Sequence, residues 1–502
     1  AFLTTQVGGR PVKLDISREE TFCNTRTRHS IEFDLAAGVG KDGRLLAKDM
    51  HSYSNQGAYA SHGHAIAANG LTSWRLQYAC PNIRGEAYTI YTNTPVGGAM
   101  RGYGIPQVCF AIESFMDDVA NEIHMDPLEF RRKNLIQGYY EDAYLKPIAA
   151  NTNGIFECLE KGAEYIHWDE KRKEYAEQAG DVRKGVGMAL FSYKTGVWPI
   201  SLEIAGARLS LNQDGSVQLM LGATEIGQGA DTVFSQMVAE TLHTDMEHVH
   251  IKTVQDTDVS PFDTGAYASR QSFVTGTAVR HCAEILRDKI LAYAKTLLPE
   301  IDTRELTLKD NWIWAGDEQA ISLAALAEES YYSLTNSSVL TAEVSEQVKK
   351  NTIATGCCFA EVEVDIKLGK IKILHIINVH DSGKLLNPQL AEMQVHGGMS
   401  MGMGYGISEQ LILDEKTGRP LNGNLLDYKL MTMLDTPDIK ADFVELCDPM
   451  GPYGNKALGE PPAIPCAPAI RNAVLHATGV AFYENPLTPQ RLIDGFQKAG
   501  LI

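Results

Sequence analysis

The sequence has 502 residues, length for roughly two to four domains. Its 45 Lys and Arg against 63 Asp and Glu leave a formal charge of −18, which argues against a broad nucleic-acid surface. No apolar run approaches the roughly 18 residues of a membrane span, and none of the 9 cysteines forms a two-residue-spaced pair, so neither a zinc ribbon nor an iron–sulfur cluster is expected in this chain.

The scattered cysteines fit a reducing, cytoplasmic setting better than a disulfide framework. Residues 1–8 look like the end of an apolar element already under way, so the numbered chain is expected to start inside a domain, as a cut or split-gene product. Residues 10–14 read as a short strand. Residues 29–54 read as a hairpin turning at Gly40-Lys41-Asp42-Gly43, and residues 56–69 as a loop or short helix. A strand is expected over 88–92. Helices are expected over 111–124, from Asp126-Pro127 to about Asn134, and over 153–165 and 167–178.

A polar stretch at 181–184 suggests a boundary, dividing the chain into domains 1–183 and 184–502. Beyond it strands are expected at 185–193, 203–211 and 217–222, with a turn at Asn212-Gln213-Asp214-Gly215. A helix at 231–242, a strand at 250–255 and a long helix over 272–298 with an irregular start come next. One strand at 306–314, a helix at 322–330, a hairpin of 355–365 with 370–379, a Gly- and Met-rich helix at 388–405 and a strand at 442–446 follow. Leu458-Gly459-Glu460-Pro461-Pro462 leads into a helix expected over 463–478. The order, rich in hairpins, predicts an α+β protein of two large domains with mixed sheets, not a doubly wound one.

Chemistry gathers in five stretches. Glu460 stands between a glycine and two prolines at the entrance to a helix, where the dipole favours the anion; it is a candidate general base, or a plain helix-entry residue. Met100-Arg101-Gly102-Tyr103-Gly104 sets an arginine and an aromatic two apart between glycines, as a loop over a flat ligand needs. Gly227-Gln228-Gly229 follows a strand and precedes a helix, where backbone amides gather around anions. Ala268-Ser269-Arg270-Gln271 precedes another helix, and Asn387-Pro388 opens the one that carries Gln394. Each of the four glycine-bearing segments alone reads as a structural turn. The pentapeptide Gly57-Ala58-Tyr59-Ala60-Ser61 recurs at Gly265-Ala266-Tyr267-Ala268-Ser269.

Together and in this order, these stretches resemble the xanthine dehydrogenase / aldehyde oxidase family of molybdenum hydroxylases, over nearly the whole chain, with the bacterial xanthine dehydrogenase branch the most similar. The resemblance implies that Glu460 is the catalytic base, taking a proton as a water-derived oxygen attacks an electron-poor carbon. It implies that Arg101 and Tyr103 contact substrate. Met100, Gly227, Gln228, Gly229, Ala268, Ser269, Arg270, Gln271 and Gln394 are implied to hold a molybdenum–pterin cofactor, with or without a cytosine nucleotide. The metal would be held by the pterin dithiolene and by no protein ligand.

Two departures stand out. The family's upstream Phe-Gly-Gly loop is absent, and Asn69 falls where mammalian enzymes carry a substrate arginine. The resemblance implies hydroxylation of a purine such as hypoxanthine or xanthine. Another N-heterocycle or an aldehyde is the alternative, and a cofactor-free, non-catalytic fragment is a third reading. Iron–sulfur and FAD-binding partner subunits, an oligomeric assembly and no nucleic-acid or membrane partner are further expectations.

Overall fold

A computed structural model describes the chain apart from residues 138, 142–146, 150, 151 and 253. Its centre is a four-stranded sheet in which Ile353–Asp365 lies between Val182–Lys194 and Lys370–Asp381, with Ile439–Phe443 added in parallel at the edge. Both faces of this sheet are covered, so the strands read as near-continuous buried runs rather than alternating ones.

Alternate residues serve different cores. Val186, Met188, Leu190, Cys357 and Phe359 face the helices Ile105–Glu122 and Ile155–Ile166. Ala189, Cys358, Ala360 and Val362 face the helices Pro388–Ile407, Cys466–Thr478 and Pro489–Lys498. A Cβ on Gly185 would lie 2.1 Å from the Ala473 carbonyl oxygen, and one on Gly187 2.1 Å from the Ala473 nitrogen. These two glycines let the helix Cys466–Thr478 press onto the strand, which fixes the position of Glu460 just upstream of it.

A second core lies under the sheet formed, in spatial order, by Thr341–Gln347, Ile204–Leu211, Val217–Leu221 and Val249–Lys252. The helices Ala230–Leu242 and Gly276–Leu297 cover it. A third sheet pairs Ile31–Val39 with Leu45–Gly57 and Leu45–Gly57 with Ile83–Tyr91. The α+β architecture with mixed sheets is therefore what the molecule has.

Several local expectations need correction. Residues 10–14 form no strand. Ser17 instead caps the helix Arg18–Asn24, its side chain accepting from the Glu20 N–H while the Glu20 carboxylate accepts from the Ser17 N–H. The single strand at 306–314 is a hairpin of Leu306–Lys309 and Trp312–Ala315, turning at Asp310 and Asn311, both with positive φ. Residues 56–69 hold the end of the strand Leu45–Gly57, a loop, and the first half of a 14-residue helix, Gly63–Leu76. The helix expected from 111 starts at Ile105, because Gly104 takes a left-handed φ of 87° and Pro106 sits in the first turn. The strand expected over 250–255 spans Val249–Lys252, and residue 253 lies outside the described residues. The irregular start of the long helix is a π-turn, Gln271–Thr275.

Candidate active site

Glu460 heads a short 3-10 turn, Pro461–Ala463, and its side chain makes no cap bond; the helix proper begins at Cys466. The turn is fastened from below and from both sides. Asn378 on the central sheet donates to the Pro462 carbonyl at 3.0 Å. Ser269 Oγ accepts from the Glu460 N–H at 2.9 Å. Arg101 Nε donates to the Gly459 carbonyl at 2.7 Å, and its Nη2 donates to the Gln394 carbonyl at 2.9 Å. Arg101 thus ties the glycine loop, the Glu460 turn and the helix Pro388–Ile407 into one unit, through backbone carbonyls rather than through a carboxylate.

The Glu460 carboxylate is left in an unusual state. Burial pushes its pKa from 4.5 up to about 7, against the opposing pull of the Gly102 and Ala268 backbone N–H groups and of the Arg101 and Arg28 charges. Its Oε2 is buried and has no hydrogen-bond partner among the described residues. A carboxylate titrating near neutrality with a free oxygen can accept and return a proton at working pH. Arg28 adds support behind the loop, its Nη2 donating to the Arg101 carbonyl at 2.8 Å.

Tyr103 sits beside this centre with a left-handed φ of 47°. Its carbonyl accepts from Asn69 Nδ2 at 3.0 Å and its hydroxyl lies 2.7 Å from His62 Nδ1. Met100, at the head of the loop, is exposed. The repeated pentapeptide leads to the site twice: the first copy ends immediately before His62, and the second ends at Ser269.

The Gly227-Gln228-Gly229 loop packs against Gln271. Gln228 Nε2 donates to Gln271 Oε1 at 2.7 Å, and both amides donate to the Thr224 carbonyl at 3.0 Å. Glu225, which sequence reasoning passed over, accepts from the N–H groups of Gly227, Gly229 and Asp231. An acidic residue heading a glycine loop was the signal available. The helix N-terminus expected to gather an external anion is therefore supplied with one by its own chain.

Arg270 is fully buried and turned inward. It bonds the carboxylates of Glu203 at 2.6 Å and Asp263 at 2.7 Å, with further bonds to the Gly265 and Ile204 carbonyls. Its guanidinium braces the loop at the Gly265 carbonyl, and Ala268 and Ser269 just before it are both left-handed.

These residues suit a pterin. The paired amides of Gln228 and Gln271, the backbone of the 268–269 turn and the open space over Gly227, where a Cβ would meet nothing within 4 Å, set neutral polar groups side by side.

The fold and this site define a molybdopterin-binding subunit of the hydroxylase type. Two molybdopterin cofactor-binding domain families match, over residues 1–135 and 161–437. The whole chain is 48% identical to the xanthine dehydrogenase molybdenum-binding subunit of Escherichia coli O157:H7, of which it spans 67%. It is 26% identical over 96% of its length to the nicotine 6-hydroxylase large subunit of Paenarthrobacter nicotinovorans, spanning 62% of that protein. The chain belongs to the xanthine dehydrogenase / aldehyde oxidase family of molybdenum hydroxylases, and it is a homologue of the bacterial xanthine dehydrogenase molybdenum-binding subunits. In fold it superimposes on quinoline 2-oxidoreductase from Pseudomonas putida 86 with a TM-score of 0.91 at 24% identity, covering 99% of this chain and 66% of that one. Against the aldehyde oxidoreductase of Desulfovibrio gigas the TM-score is 0.82 at 24% identity, covering 99% and 52%. Among the described residues no helix is long and apolar enough to cross a membrane.

Proposed function

We propose that the chain carries the catalytic site of a purine hydroxylase acting on hypoxanthine or xanthine. Such an enzyme would hydroxylate an electron-poor ring carbon with water as oxygen source, with Glu460 as the catalytic base. The observation that carries this reading is the Glu460 carboxylate: buried, shifted to about 7, and held on a fastened turn with one oxygen unpartnered. The 48% identity to a xanthine dehydrogenase subunit supports the choice of a purine.

When bound, the molybdenum–pterin group supplies Lewis acidity and a two-electron sink. The chain's own residues do the rest. Glu460 Oε2 receives the proton that water must lose to become a nucleophile, while the backbone N–H groups of Gly102 and Ala268 steady the carboxylate. Arg101 holds the turn so that the carboxylate cannot swing away. Tyr103 offers its ring as a platform for a planar substrate. We assign cofactor contacts to Met100, Gly227, Gln228, Gly229, Ala268, Ser269, Gln271 and Gln394, with Arg270 acting from behind its loop. Domains 1–183 and 184–502 would share the cofactor. Electrons would leave through iron–sulfur and FAD-binding partner subunits in an oligomeric, cytoplasmic complex.

The test is Glu460→Gln in the assembled enzyme. The amide keeps the shape and removes the basic site, so kcat should fall by at least about 10³-fold, within the range general-base catalysis supplies, while molybdenum content stays at the wild-type level. A rate within tenfold of wild type would reduce Glu460 to a helix-entry residue.

A further inference from the structure

The proposed reaction leaves a proton on Glu460, and the carboxyl must lose it again before the next turnover. Glu460 sits on a segment that arches over the end of the central sheet. Both feet of the arch rest on the strand Lys370–Asp381 and the residue after it. At one foot the Lys456 N–H donates to the Ser382 carbonyl at 2.7 Å, and at the other Asn378 donates to the Pro462 carbonyl at 3.0 Å.

His380 lies beneath. Along this strand Ile376 faces the core of the helices Pro388–Ile407 and Cys466–Thr478, whereas Ile377 and Val379 face the opposite core. Side chains alternate along a strand, so Asn378 and His380 point to the side on which the arch lies. His380 is fully buried, its ring centroid 5.0 Å from that of Phe191 and 6.2 Å from that of Phe443. Phe191 shares a small core with Ala457 and Ile464, one from each end of the arch.

Neither nitrogen of His380 has a hydrogen-bond partner among the described residues. Asn378 Oδ1 and Ser382 Oγ, two residues to either side, have none either, nor has Glu460 Oε2. An unanswered buried polar atom costs about 1–3 kcal/mol, so a run of them points to interior water. Residues two apart in extended chain are roughly 7 Å from one another, and one water bridges polar groups about 5.5 Å apart, so side chains and waters fit alternately along the row. Burial, with the Arg101 charge adding to it, pushes the His380 pKa down to about 3, so the ring is neutral at working pH. A neutral imidazole has one N–H and one lone pair. It takes a proton on one nitrogen as it gives one up from the other. Because no protein group ties either nitrogen, the ring is free to turn over and restore the starting tautomer.

We propose that His380, with waters held between Asn378 and Ser382, is the relay by which the Glu460 proton leaves the site. The Oε2–H bond breaks, a water beneath the arch takes the proton, and one nitrogen of His380 takes it from that water. The proton on the other nitrogen passes to a water beside Ser382. Two residues beyond, Lys384 is exposed, and the proton reaches solvent there. Glu460 is left as the carboxylate, and no added charge stays in the core. The inference rests on the reading of Glu460 as the catalytic base and adds the route by which that base is reset.

The test uses the assembled, molybdenum-loaded enzyme with hypoxanthine. His380→Phe keeps a ring between Phe191 and Phe443 and removes both nitrogens. Its kcat should fall about tenfold, less than general-base catalysis itself supplies, with kcat/KM unchanged because the proton leaves after substrate is committed. The solvent deuterium isotope effect on kcat should rise. Substrate oxidation in a single turnover, which needs Glu460 only to take up a proton, should keep its wild-type rate. Ser382→Ala, at the outer end of the row, should move kcat and the isotope effect the same way by a smaller factor, and it tests the route even where the larger change disturbs packing.

A wild-type kcat and isotope effect in both variants overturns the relay and leaves Glu460 as the base. So does a single-turnover rate that falls as far as kcat, which would make His380 a prop for the arch. If Glu460→Gln turns over at the wild-type rate, the base assignment fails, and the relay with it.

Discussion

Glu113 and Glu460 are treated in opposite ways. Glu113, on the helix Ile105–Glu122, is saturated. Its Oε1 accepts from Gln77 at 2.7 Å and from the Tyr78 hydroxyl at 2.8 Å, and its Oε2 accepts from Arg131 Nε and the Leu190 N–H at 2.9 Å. Arg131 is in turn shared with Asp117. Glu460 has an arginine beside it too, but Arg101 spends its Nε and Nη2 on carbonyls, and one carboxylate oxygen has no partner. A carboxylate with every lone pair answered is held in one state; one short of partners is free to bind and release a proton. Each has at least one carboxylate oxygen shut away from solvent, so exposure of the oxygen does not separate them. The accounting of hydrogen bonds does.

The contrast can be broken from either side. The largest effect is the loss of turnover in Glu460→Gln, at unchanged molybdenum content. Next comes Glu113→Ala, which strands Arg131, Tyr78 and Gln77 in the core. Breaking a buried ion pair by removing one partner costs about 3–5 kcal/mol, so urea unfolding should show a loss of that order. If Glu113→Ala unfolds like wild type, saturation does not mark a structural role.

The pH dependence of stability sharpens the same contrast. Below 4.5 the Glu460 carboxyl is protonated in both the folded and unfolded chain. Between 4.5 and about 7 the unfolded chain gives up this proton and the folded chain keeps it, so folding is progressively disfavoured. By pH 8 the deficit approaches about 3 kcal/mol, at about 1.4 kcal/mol per pKa unit. Gln at 460 has no such term. On the cofactor-free chain, Glu460→Gln should therefore match wild type at pH 4 and exceed it by about 2–3 kcal/mol at pH 8. Equal urea midpoints at both pH values would mean that the carboxylate is not held in a costly state.

A smaller effect belongs to the paired amides. Gln228→Ala removes the donor to Gln271 and one contact to the proposed pterin edge. A lost contact of about 1.4 kcal/mol is tenfold in affinity, so molybdenum occupancy after extensive dialysis should drop below wild type. Unchanged occupancy would take the pterin away from this loop.

Much of this was legible in the chain before any coordinates. The turn of the first hairpin, the cap at Asp126 and the irregular start near Gln271 are local signals, and local signals survive folding. The five chemical stretches could be named from residue type and order, yet their convergence depends on contacts between residues hundreds apart, such as Arg101 with Gly459. The state of Glu460 was beyond the sequence for the same reason: a missing partner is a property of packing. Arg270 shows the opposite failure. The resemblance counts it among the residues around the cofactor, but Glu203 and Asp263, remote from or just before it in sequence, draw its guanidinium inward. Other misses were signals overlooked. Ser17 with Glu20 is a capping box, and Asp310-Asn311 is a turn pair that splits one apparent strand in two.

Glu225 is an intermediate case between Glu113 and Glu460, and it carries the smallest prediction. It lies at a helix entrance, half-buried, and is answered by backbone rather than by side chains. Burial raises its pKa, but the N–H groups of Asp231, Gly227, Gly229 and Ala230 together outweigh that and hold it below the ordinary carboxylate value. Stability from this group is present above the unfolded pKa and lost as pH falls through the folded one, the reverse of Glu460. Glu225→Gln should cost about 1 kcal/mol at pH 7, as caps and charges at helix starts do. It should cost progressively less as the carboxylate of the wild-type chain is titrated away on the acid side. Urea midpoints at pH 7 and pH 3 measure both. A variant as stable as wild type at pH 7 would mean that the amides of this loop are content without an anion from their own chain.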